Sequence, residues 1–328
     1  MKGTGLDIGT NMLVAATMNA DGKPVYKKER DAFLKLTPKS EVNRKSIKLA
    51  LDSRKAPYIL SEGEFIVVGE EALMMANERN VLAQRPMSRG VLSPKEKDSL
   101  PMIRLLIKSL VGEGDQSKLV FSVPATPINS DFDIFFHSEV IKSYLKELGF
   151  APTSINEGFA IAFSELLDDN LTGLCLSFGA GMVNVTLCYE GDPTLEFAIP
   201  QGGDWIDESV AKAVDENPSW IQIEKEQNEM DLFKPADKIQ EAIAIYYRHL
   251  MEYVVNTTIF ELNKRKLPAI RGAMPVIVAG GLTLIKSFKQ AFELEIATKK
   301  FPFKIKEVRI ANEPLTCVAH GCLMAVIL

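Results

Sequence analysis

Histidine, tryptophan and cysteine are all scarce in this chain, with three, two and four copies, and each scarcity excludes something. His137, His249 and His320 stand singly, so no Ser, His and Asp arrangement and no zinc-ligand spacing can be assembled around them. Cys175, Cys188, Cys317 and Cys322 sit in apolar surroundings without metal-ligand spacing and are expected to be reduced core thiols of a cytoplasmic protein. No apolar run reaches the roughly 18 residues a spanning helix needs. The opening MKGTGLDIGT leaves no room for a signal peptide or an amphipathic membrane helix, so a soluble chain is expected. A strong excess of one sign of charge is missing too. Lys plus Arg is 38 against Asp plus Glu at 43, net −5, which disfavours non-specific contact with nucleic acid or anionic lipid.

What is present describes a globular protein: 46% hydrophobic, 25% charged, 328 residues long, more than one compact core holds. Two lobes with a cleft between them are expected. The text from Gly3 to Thr17 reads as strand, Gly-turn, strand, followed by a turn at Asp21-Gly22 and a third strand. The same reading recurs in LTGLCLSFGAGMVNVTLCYEG over residues 173 to 188, a weak internal duplication. Between them, residues 30 to 70 form a small inserted subdomain whose Lys35, Lys39, Arg44, Lys45 and Lys48 make a solvated face. A helix over 98 to 111, the strand KLVFSVPAT, a helix from about Asp131 to Leu148 and the strand-to-helix TSINEGFAIAFSELL give β-α alternation, hence an α/β lobe. The second half continues with a largely helical stretch to about Asn263. The strand PVIVAGG, a helix, the strand KEVRIA and a last helix from about Leu315 follow.

Several segments carry chemistry. GLDIGT sets Asp7 at a strand end between Gly5 and Gly9, where backbone amides approach a phosphate and the carboxylate holds a hydrated divalent cation; plain turn chemistry is the alternative. LSFGAG repeats the device with Gly179 and Gly181, and VIVAGG ends in Gly280 and Gly281, suited to an adenine or ribose. In IPQGGDWID, Gly202 and Gly203 make a tight turn while Asp204 and Asp207 either cap a helix or face a ligand. Asp131 and Asp133 begin a helix, where a carboxylate orients an attacking water or merely suits the dipole.

Taken in order, GLDIGT, VVGEEA with RPMSRGV, VFSVPAT, INEGFAIAF, LSFGAG, GGDWID, VIVAGG and EPLTCVAHG resemble the successive signatures of MreB, within the actin, heat-shock chaperone ATPase and sugar kinase superfamily. The resemblance covers nearly the whole chain. It implies an α/β fold of two related actin-like, ribonuclease H-like lobes around a nucleotide cleft. These are 1–152 with an insert at about 30–70, and 153–328 with a reduced insert at about 220–262. By resemblance, Asp7, Gly9, Thr10 and Asn11 fall on the first phosphate loop, Gly179 and Gly181 on the second, and Gly280 and Gly281 on the adenosine loop. Gly202, Gly203 and Asp204 would face the nucleotide, Lys225 matches the family's ribose-side lysine with Gln222 where an acid is usual, and Glu157 implies a hinge. Asp7 would hold Mg2+, and Asp131 approximates the water-orienting glutamate.

Three departures qualify the resemblance. Ser177 and Met182 replace an acid and a threonine of the second phosphate loop, Asp131 is one methylene short, and the family's small subdomain is lacking between Leu232 and Ile245. The implied function is an ATP- and ADP-binding, Mg2+-dependent, filament-forming cytoskeletal protein with slow or impaired hydrolysis. Its expected partners are further copies of itself and cytoplasmic membrane-associated proteins, with no nucleic acid, at a cytoplasmic location peripheral to the inner membrane face. The alternatives are a non-polymerising nucleotide-binding regulator or pseudo-ATPase scaffold, and a chaperone-like ATPase switch. A sugar kinase of the same fold lacks any sugar-site signature here.

Overall fold

The computed structural model describes residues 3–93, 96, 98–130, 134–227, 229–268, 270 and 272–328. The first sheet begins as a meander of β1 (Gly3–Ile8), β2 (Met12–Met18) and β3 (Pro24–Arg30). A long excursion follows through β4 (Phe33–Leu36), α1 (Glu41–Arg54), β5 (Tyr58–Ser61), β6 (Glu64–Val68), α2 (Glu70–Glu78), the short pair β7 (Met87–Ser88) and β8 (Val91–Leu92), and α3 (Ser99–Val111). The chain then returns as β9 (Lys118–Val123), α4 (Ile134–Glu147), β10 (Ala151–Asn156) and α5 (Glu157–Glu165). The strand order is β3-β2-β1-β9-β10, with β1, β9 and β10 parallel and the meander antiparallel.

The second half repeats this plan. β11 (Gly173–Phe178), β12 (Val183–Tyr189) and β13 (Asp192–Ile199) form the meander, and α6 (Gly203–Val214), α7 (Pro218–Gln227) and α8 (Lys238–Lys264) form the excursion. β14 (Ala273–Ala279), a 3-10 turn at Gly281–Leu284, α9 (Phe288–Ala297), β15 (Lys304–Ile310) and α10 (Cys317–Ile327) complete it. Its order is β13-β12-β11-β14-β15, the same topology strand for strand. The duplicated openings read from the sequence are thus duplicated sheets.

Physical chemistry explains the placement. All six residues of β11 are buried, as befits a central strand covered on both faces. β3 is an edge whose exposed Lys27 and Lys28 discourage further pairing. Each sheet has its own apolar core. Between them α5 and α10 pack against Val120 of the first sheet and Ile277 and Ala279 of the second, a shared layer that joins the lobes and buries all four free cysteines.

Within the excursion, β4, β6 and β5 form a separate antiparallel sheet against which α1 and α2 pack. Lys39, Lys45 and Lys48 are exposed, but Lys35 departs from the expected solvated face by pairing with Asp98. The helix expected between β14 and β15 is α9, but it does not open directly after the paired glycines: a 3-10 turn comes first, and an extended Ile285 and Ser287 at φ 68° separate the two. Among the described residues no helix is long and apolar enough to cross a membrane.

Candidate functional site

A cavity of about 730 Å³ opens between the two sheets, within the range of small-ligand sites. Its floor is one turn used twice. Gly9 N–H donates to the Met12 carbonyl at 3.2 Å after β1, and Gly179 N–H donates to the Met182 carbonyl at 3.1 Å after β11. The two turns approach each other so closely that a Cβ on Gly181 would collide with Thr10 Oγ1 and the Gly90 nitrogen. Gly280, at φ 95°, lies against the Phe178 backbone and leaves no room for a side chain. Asp7, Gly9, Thr10, Asn11, Gly179, Gly181, Gly203, Asp204, Lys225, Gly280 and Gly281 all line the cavity. Gly202 is not part of that lining, and a Cβ there would strike the Gly179 and Ala180 carbonyls.

Two acids meet on the floor. Asp7 accepts a hydrogen bond from Ser122 Oγ at 2.7 Å, yet burial pushes its carboxyl up to about 6. Glu157, the first residue of α5, lines the same cavity. Burial, and then the charge on Asp7, push it up to about 8 against the pull of the Ser177 hydroxyl. Ser177 therefore serves the neighbouring carboxyl, and an acid there would add a third carboxyl group. Two desolvated carboxyls that repel one another suit a shared cation, and Mg2+ is commonly held through one or two carboxylates, water and phosphate oxygens. The residues fit that ion.

The second-lobe wall is α6 and α7. Lys225 Nζ lies 2.7 Å from Asp207 Oδ1 with both side chains 7% exposed, and it donates to the Gly203 carbonyl at 3.2 Å. Burial nonetheless pushes Asp207 up to about 6. Asp204 accepts from Arg85 Nη1 at 2.8 Å, so the helix-start acids pair with cations as well as lining the site. Thr10 Oγ1 accepts from Gly90 N–H at 2.8 Å, and Asn11 exchanges hydrogen bonds with Gln222 and Glu226 across the cleft, each 3.2 Å. Asp131 and Asp133 lie outside the described residues.

Sequence reasoning did not find Arg30 or Arg85. Arg85 opens the RPMSRGV segment, which carries the resemblance without marking that residue, Arg30 ends a mixed-charge run, and their partners are 196 and 119 residues away. Glu157, read as a hinge residue, also faces the cavity.

The geometry can be set beside known proteins. A MamK double helical filament shares 18% identity at TM-score 0.72, over 100% of this chain and 99% of that one. MreB 5 of Spiroplasma citri, solved with AMPPNP bound, shares 16% at TM-score 0.69, over 98% and 94%. The ethanolamine utilization protein EutJ from Carboxydothermus hydrogenoformans shares 14% at TM-score 0.58, over 99% and 90%. At these identities the likeness shows the fold, two actin-like α/β lobes spanning the chain. No curated protein matches the sequence. A family model does match it, from residue 1 to residue 326, and the chain belongs to the Volactin family.

Proposed function

We propose that this chain binds ATP and ADP with Mg2+ between its lobes and assembles with copies of itself into cytoskeletal filaments, hydrolysing the nucleotide slowly. The observation that carries the reading is convergence: equivalent Gly-turns from both sheets and the acids Asp7 and Glu157 meet on one cavity of ligand size. The backbone amides of the turns would cradle phosphate oxygens, and the apolar wall of Met230, Leu282 and Ile285 would take the base. Mg2+, once bound by Asp7 and Glu157, supplies the charge that neutralises the phosphates. Hydrolysis is slow in this reading because Ser177 contributes a hydroxyl in place of a carboxylate. The AMPPNP bound to the Spiroplasma protein and the filament form of MamK support the same reading.

The test is titration of a fluorescent ATP analogue in Mg2+, with sedimentation and electron microscopy of the same samples. Asp7→Ala should weaken binding at least tenfold, about 1.4 kcal/mol. Unchanged affinity would remove the site. Nucleotide binding without polymer in any nucleotide state would replace the filament reading with that of a non-polymerising regulator.

A further inference from the structure

One helix in the cavity wall is held from both sides. Gln222, Lys225 and Glu226 on α7 are spaced i, i+3 and i+4, which puts them on one face of the helix, and all three line the cavity. Lys225 turns back into its own lobe, to Asp207 and the Gly203 carbonyl. The other two reach across to the first lobe. Arg30 donates to both oxygens of Glu226, at 2.7 and 3.4 Å, and Arg85 Nη2 donates to Gln222 Oε1 at 2.9 Å while its Nη1 holds Asp204. Asn11 completes the contact by donating to Glu226 and accepting from Gln222.

The two arginines are themselves fixed. Arg30 ends β3 and its Nε donates to Glu70 at 3.0 Å. The next residue, Asp31, is buried and accepts from the Met87 N–H at 2.9 Å, which ties the end of β3 to the segment carrying Arg85. Partial burial would lower the Arg85 guanidinium, but the charge and hydrogen bond of Asp204, with smaller contributions from Asp31 and Asp207, keep it charged. Partial desolvation would raise Glu226, but the bonds from Arg30 win and hold it below the usual carboxylate range.

We infer that Arg30 and Arg85 are positioning residues for the nucleotide: they hold α7 against the first lobe across the cleft mouth and so set how long a bound nucleotide stays. This rests on the reading that the cavity takes a nucleotide. The bonds from Arg30 to Glu226, from Arg85 to Gln222 and Asp204, and between Asn11 and α7 all join residues of different lobes, so they exist only while the cleft is closed and favour that state. Opening the cleft on the α7 side breaks them together. The fork of an arginine holds two acceptors in fixed geometry, a task lysine does not reproduce. The guanidinium bonds of both arginines go to Glu70, Asp204, Gln222 and Glu226, away from the two glycine turns where the phosphates would lie, so loss of these side chains should change residence time more than phosphate recognition.

The experiment compares wild type, Arg30→Ala with Arg85→Ala, and the charge swap Arg30→Glu with Glu226→Arg, all first shown folded by circular dichroism. Without nucleotide, spin labels on Ser53→Cys and Asp215→Cys report the distance between the lobes. The alanine double variant should lengthen or broaden that distance, and the swap should restore it. With a fluorescent ATP analogue, the alanine variant should release nucleotide at least about tenfold faster than wild type, with the swap recovering most of the difference. An unchanged distance overturns the inference, and so does an unchanged release rate in a wild type that binds nucleotide. A wild type that binds no nucleotide overturns the nucleotide reading, and with it the residence-time role, while the spin labels still decide whether the arginines close the cleft.

Discussion

Asp7 and Ser177 occupy the same station on their sheets, each one residue before the end of its first strand and two before the turn glycine. One kept a charge and the other holds a hydroxyl against Glu157. Ser177→Asp would place a third carboxylate on a desolvated floor, and we expect it to lower stability by about 2 kcal/mol, with millimolar Mg2+ returning part of the loss. Chemical denaturation with and without Mg2+ measures this; a variant as stable as wild type without the ion would contradict it. His137 gives a pH test. Its Nδ1 accepts from the Leu92 N–H at 3.3 Å, its Nε2 has no partner among the described residues, and burial pushes it down to about 4. Between its ordinary value near 6.5 and about 4, the unfolded chain takes a proton that the folded chain refuses. Stability from this group is therefore full at neutral pH and falls as pH drops through that window, by up to about 3 kcal/mol. His137→Gln should flatten that part of the wild-type profile, and parallel profiles would refute the assignment. The acid in GLDIGT was legible because glycines flank it, whereas Arg85 stood only inside the RPMSRGV resemblance, and its bonds to Asp204 and Gln222, more than a hundred residues on, could not be read there.

Among elements, strands that end in glycine turns could be read directly, since period and turn residue coincide in GLDIGT, LSFGAG and VIVAGG. The break after the last of these could not, because it depends on Ser287 taking a positive φ that serine rarely adopts. Helix starts were partly legible. Asp237 caps the 27-residue α8 by accepting from the Gln240 N–H at 2.9 Å, and Asp237→Ala should cost about 1 kcal/mol in urea midpoint analysis. The crossing of α5 and α10 leaves a plainer mark. A Cβ at Gly321 would strike the Ala160 carbonyl, so the helices touch backbone to backbone. Gly321→Ala should force them apart at a cost of about 1–3 kcal/mol, and an unchanged midpoint would show that the contact yields freely. That glycine sits in EPLTCVAHG, where the sequence offers only another small residue among small residues.

At the scale of the whole molecule, the two sheets share one apolar layer, with Val120, Ile277, Ala160 and Cys322 in a single cluster. We therefore expect the lobes to unfold in one calorimetric transition with matching van't Hoff and calorimetric enthalpies. Two resolved transitions would show that each lobe stands alone. The repeated topology also places α5 after the last strand of one sheet and α10 after the last strand of the other, with the pair in contact at Gly321. The chain thus carries an approximate dyad through that crossing. A dimer of identical halves would present two identical turns to its ligand and could favour only a symmetric guest. Covalent fusion lifts that restriction, because each half drifts alone, and a molecule with a base at one end and phosphates at the other calls for an unequal cradle.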